Sequence, residues 1–83
     1  MRFVACSVFD SAVNTYSPPI FVRSLGLAIR DFRREAADSN SRIAQSPTDF
    51  VLFVVGEYDD ESATMTALPA PRRVISATEA KEA

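Results

Sequence analysis

Four arginines, Arg23, Arg30, Arg33 and Arg34, fall in one short stretch of the chain, and the guanidinium group is the side chain best shaped to grip a phosphate. If that stretch is helical, successive residues turn by about 100°. Arg23, Arg30 and Arg34 then share a narrow stripe, with Arg33 beside it. Groups one and two turns apart can each meet a phosphate of an extended strand. A solvated helix face has the same look, and Asp31, Glu35 and Asp38 dilute the stripe and offer ion pairs to it. Five arginines stand against three acids over residues 23–42, so phosphate contact and plain solvation both remain open at this level.

The other reactive side chains carry less. Glu57, Asp59, Asp60 and Glu61 are close enough in sequence to suggest oxygen ligation, but their spacing does not follow a calcium loop, and a hairpin tip is where solvated carboxylates collect. No metal and no cofactor are expected. Tyr16, Phe21 and Tyr58 are candidate stacking platforms for single-stranded bases. Tyr16 is the best of the three because polar and proline neighbours surround it, although aromatics in short strands are more often cross-strand partners. Cys6 sits in an apolar run, and the chain has no histidine to activate it, so a buried, inert thiol is expected. Arg72-Arg73 offers a second, smaller basic pair. Two glycines and no histidine leave no phosphate-cradling loop and no acid–base pair, so the chain reads as a non-enzyme.

Elements must position these groups. Phe3 to Phe9 is apolar and aromatic and ends at Asp10-Ser11, which predicts a strand over residues 2–9. Tyr16-Ser17-Pro18-Pro19 is forced to be extended, and Ile20-Phe21-Val22 completes a first hairpin whose prolines suit an edge. Ser24 is a good N-cap, and Leu25, Ala28, Ile29, Phe32 and Ala36 form one apolar face, which predicts a helix over 24–37. Asp38 to Thr48 reads as loop. Phe50 to Val55 is too short and too β-branched for a helix and reads as a central strand buried on both faces. The turn Asp59-Asp60-Glu61-Ser62 leads to a second hairpin. The whole predicts an α+β fold: a small antiparallel sheet of two hairpins and about four strands packed on one α-helix.

Eighty-three residues have room for one hydrophobic core, assigned to residues 1–75. Residues 76–83 hold only small and charged side chains and are expected to fray as a flexible tail. A net charge of −2 excludes a general basic coat for nucleic acid, though not a local patch. No signal-peptide core and no apolar run of membrane-spanning length is present, so no membrane contact and a cytoplasmic location are expected. A domain of this size buries little of its surface, which makes a homo-oligomer the expected state.

Phe9-Asp10-Ser11-Ala12, Tyr16 to Phe21, Ala28-Ile29-Arg30-Asp31-Phe32, Pro47 to Phe53 and Gly56-Glu57-Tyr58-Asp59 follow one another in a familiar order. Over roughly residues 8–61 the chain resembles the small nonstructural protein of gokushovirus-type microviruses, which are tailless single-stranded DNA phages. The segment after Glu61 resembles it less, and Leu25-Gly26-Leu27 stands where that family commonly has an acidic residue and a Lys or Thr. The resemblance implies an accessory protein of the bacterial host cytoplasm that binds single-stranded DNA or acts where replication turns to genome packaging. It marks Arg30 as the family's helix arginine and Tyr16 as its aromatic before proline, and supplies no catalytic residue. The sequence-level expectation is therefore a DNA surface of Arg23, Arg30, Arg34 and Tyr16, repeated by oligomerisation. The alternative is a module that binds the phage replication initiator or a host replication factor through a sheet edge or the strand near Phe50 to Val55.

Overall fold

The computed structural model describes residues 1–82. Its centre is β4 (Phe50–Asp59), flanked on one side by β1 (Arg2–Asp10) and on the other by β5 (Thr64–Ser76). All pairings are antiparallel. The outer edge of β1 carries two short strands in succession, β2 (Thr15–Tyr16) and β3 (Ile20–Val22). Ser17, Pro18 and Pro19 separate them because the prolines have no N–H to give the ladder. The gap is bridged by Ser17, whose N–H donates to Val8 O at 2.9 Å and whose Oγ accepts from Val8 N at 2.9 Å. Ser7, a buried polar residue, donates its hydroxyl to Ser17 O at 2.7 Å.

The other edge is also broken by proline. Gly56 pairs with Ala67 and Val54 with Arg72, so Leu68-Pro69-Ala70-Pro71 bulges out opposite Val55. Gly56 sits at the irregularity in both of β4's pairings. A Cβ there would come within 2.5 Å of Thr66 O, so only glycine lets the strands close at that point. The β4–β5 turn holds Ala63 at φ 56°, and the β1–β2 turn holds Asn14 at φ 53°. Asn tolerates that region better than Ala does.

The predicted helix is present as α1 (Leu25–Ala37), with Ser24 Oγ accepting from Leu27 N. Ala28, Phe32 and Ala36 are its buried face. They pack on Cys6, Phe50, Leu52 and Val54 in one core cluster. The α+β expectation of a small antiparallel sheet packed on a helix holds. Three details differ from the sequence reading. The stretch read as a loop contains α2 (Arg42–Gln45), capped by Ser41 accepting from Ile43 N, and a 3-10 turn at Pro47–Asp49. β4 is not buried on both faces: Phe50, Leu52 and Val54 are buried toward the helices, while Val51, Phe53 and Val55 are only half-buried. The core cluster draws its helical members only to the Leu52 side of the strand.

The third difference is the tail. Residues 77–82, expected as part of a flexible tail, are placed as α3, in which Ala77 is 0% and Ala80 4% exposed; residue 83 lies outside the described residues. Side chains this small contribute little area, yet they let α3 approach α1 closely and join the cluster that contains Ala36. The start of α3 is fixed by Ser76 and Glu79. Glu79 N donates to Ser76 Oγ at 3.1 Å, and Ser76 N donates back to Glu79 Oε1 at 3.0 Å. This is a reciprocal capping box.

Candidate nucleic-acid interface

α1 buries its alanine–phenylalanine face in the core, and the turn geometry then leaves Arg30, Arg33 and Arg34 exposed on the outer layer. α3 runs beside them. Between the two helices lies a shallow groove of about 530 Å³, lined by Arg30, Arg33, Arg34 and Lys81, with Ala37 and Ala80 between the charges. Four cations thus face one groove. Arg30 lies 4.0 Å from Asp31, whereas Arg33, Arg34 and Lys81 make no ion pair among the described residues. Lys81 Nζ instead donates to Ala44 O at 3.3 Å, tying α3 to α2.

Of the carboxylates expected to neutralise the stripe, Asp31 stands beside Arg30, while Glu35 and Asp38 make no ion pair with it among the described residues. Asp38 is the C-cap of α1, and its Oδ1 accepts from Asn40 N at 3.0 Å. Glu35 lines a different groove, together with Asp10, Tyr16, Arg42 and Phe50, where Arg42 and Asp10 are 3.6 Å apart. Arg72 is exposed without an ion pair among the described residues, and Arg73 is paired with Glu79.

The four residues singled out from sequence separate into distinct places. Arg30 and Arg34 share the groove, and Arg33 joins them there. Arg23 lies in the turn between β3 and α1 and is exposed, but it does not line that groove. Tyr16 lies on the edge strand β2, away from the α1–α3 groove: it borders the groove of Glu35 and Arg42, and its ring stands 4.7 Å from Phe9 and 5.4 Å from Phe53. Composition alone hides Lys81, because small and charged side chains at residues 76–83 predict a flexible tail. The signal that finds it is Ser76-Ala77-Thr78-Glu79, an S-x-x-E helix start.

The acidic residues also have an assigned place. Glu57, Asp59, Asp60 and Glu61 gather at the β4–β5 turn, where the Met1 ammonium sits 2.7 Å from Asp60 and 3.7 Å from Glu61, and Arg2 is 3.9 Å from Glu57. The hydrogen bond that the Met1 ammonium donates to Asp60 raises its pKa. Asp59 Oδ1 accepts from Glu61 N at 3.0 Å, which shapes the turn. Among the described residues no group of three or more potential ligands could hold a metal ion. Cys6 is fully buried, and burial pushes its thiol up, so it stays protonated and shielded. No helix is long and apolar enough to cross a membrane among the described residues.

The molecule therefore has a separated charge distribution: an acidic turn at one end of the sheet and a basic groove on the helical layer. No curated protein and no solved structure matches the chain. The family described as Phage ORF5 protein matches residues 3–80, which spans α1, all of the sheet but its first residue and most of α3, and the chain belongs to that family of phage proteins.

Proposed function

We propose that the chain is a non-enzymatic accessory protein of gokushovirus-type single-stranded DNA phages. In this reading it binds single-stranded DNA during genome replication or packaging in the host cytoplasm. The observation that carries the reading is the gathering of Arg30, Arg33, Arg34 and Lys81 around one groove in a chain of net charge −2. Local concentration of charge, rather than net charge, is what a polyanion meets at close range. Along α1, residues four apart are separated by about 6 Å of rise, so Arg30 and Arg34 suit successive phosphates of one strand. Ala37 and Ala80 between the cations are small enough to let sugar and base edges approach.

Fluorescence anisotropy of a labelled single-stranded oligonucleotide, titrated at several salt concentrations beside a duplex control, tests this. Binding should favour the single strand and weaken with salt, with a slope of about 0.7 per phosphate neutralised. The triple change Arg30→Ala, Arg33→Ala, Arg34→Ala should lower that slope by about 2, while Arg23→Ala leaves it nearly unchanged. An unchanged affinity and slope in the triple variant would overturn the assignment.

Edge-strand capture of a replication protein has less support. Pro18 and Pro19 interrupt one sheet edge and Pro69 and Pro71 the other, which removes the donors that an added strand needs.

A further inference from the structure

The side of the sheet away from the helices holds most of the aromatic side chains. Of six Phe and two Tyr, only Phe32 and Phe50 are in the core. The other six form two clusters on the open face. At one end Phe9, Tyr16 and Phe53 have ring centroids 4.7–6.2 Å apart. At the other, Phe21 and Tyr58 are 5.5 Å apart, with Phe3 at 6.4 Å from Tyr58. Tyr16 is 41%, Phe21 43% and Met65 63% exposed. Strand register places Met65 beside Tyr58 and Arg73 beside Phe53, and Arg73 is the single charged residue whose alternation sets it on this face. Its guanidinium is taken by Glu79.

We propose that this face is the interface of a two-fold dimer with a second copy of the chain. A face rich in aromatics and Met and almost without charge is the composition of an interface centre. It is a poor surface for a nucleic-acid strand, whose backbone needs unpaired cations along it. The molecule measures 39 × 23 × 18 Å, and covering most of the outline set by its two longer dimensions would bury on the order of the 800 Å² that each partner contributes to a standard stable interface.

The charge distribution selects the orientation. Glu57, Asp59, Asp60 and Glu61 lie at one end of the sheet, and the turn Ser11-Ala12-Val13-Asn14, itself uncharged and flanked by Asp10 with its ion pair to Arg42, lies at the other. A two-fold axis that sets the strands of the two sheets running in opposite directions puts each acidic turn over the partner's uncharged turn. The two like-charged ends are then a sheet's length apart, and the Phe9 cluster of each copy meets the Tyr58 cluster of the other. Such a contact is isologous, closes on itself, and leaves both α1–α3 grooves on the outside.

Analytical ultracentrifugation of the full chain from micromolar to near-millimolar concentration tests the proposal. The expected mass is that of two 9.1 kDa chains. Phe21→Glu and Met65→Lys, both at exposed positions, should each weaken dimerisation by about tenfold or more with an unchanged circular dichroism spectrum. The triple arginine variant should remain dimeric, so failure of the DNA reading and failure of this one are told apart. A wild-type monomer throughout the range, or a dimer indifferent to both substitutions, would overturn the proposal. So would a wild-type monomer whose Phe21→Glu variant loses oligonucleotide binding, which would assign the face to bases.

Discussion

The two faces of β4 take opposite roles within ten residues of chain. Toward the helices, Phe50, Leu52 and Val54 are buried against Ala28, Phe32 and Ala36. Toward the other side, Val51, Phe53 and Val55 are only half-buried. The helical side closes because small residues, four alanines among them, let two helices sit tightly on the sheet, and that tight packing turns the remaining helix surface into a basic groove. The open side stays apolar and aromatic with nothing over it. An apolar residue is thus not by itself a core residue, and its role depends on whether a helix is delivered to its side of the sheet.

The largest expected effect contrasts the two sides directly. Leu52→Ala, at a 2% exposed position, should cost about 2–5 kcal/mol of stability by leaving a cavity under α1 and α3. Phe53→Ala, next along the strand, should cost less than half as much in urea unfolding at a concentration low enough to hold the monomer. Equal losses would break the contrast and mean that both faces are equally closed.

A smaller effect sharpens the helical side alone. Ser76→Ala removes one half of the capping box and should cost about 1 kcal/mol, with the loss concentrated in α3. Hydrogen exchange should show Ala80 and Lys81 losing protection before any strand amide does. The salt slope for oligonucleotide binding should fall with it, because Lys81 no longer stands beside the arginines.

The smallest effect is a pH dependence. The Ser76 N–H, the Arg73 guanidinium and the Ser76 hydroxyl hold the Glu79 carboxyl at about 2, below its ordinary 4.5. A depressed carboxyl stabilises the fold fully above its ordinary value, and that contribution is lost as pH falls through its folded value. Acid titration should therefore loosen α3 between about 4.5 and about 2. Glu79→Gln should remove this component while leaving the rest of the acid transition in place, as followed by the α3 amide resonances.

Much of this architecture is legible in local sequence. Ser24 and the Leu25 to Ala36 periodicity define α1, the two prolines before Ile20 define a broken edge, and the β-branched run at Phe50 defines the central strand. Each rests on interactions within a few residues of the chain: a cap, a fixed φ, a side-chain preference. The arginine stripe is legible for the same reason, since helical periodicity alone sets which residues share a face. α3 was within reach through Ser76-x-x-Glu79 but was hidden by composition, because alanines contribute burial only when a second helix comes close enough to use them.

Tertiary structure decided what no local rule contains. It kept Tyr16 out of the arginine groove, replaced Arg23 with Arg33 and Lys81 there, and gathered six aromatic rings on a face with no helix over it. These outcomes depend on the register of strands distant in sequence and on which side of the sheet receives all three helices. The sequence determined the elements and the residue types they display, because those follow from short-range sterics and hydrogen bonding. Which displays meet one another was decided only by long-range packing, where burial of Cys6, Leu52 and the helix alanines outweighs any local preference.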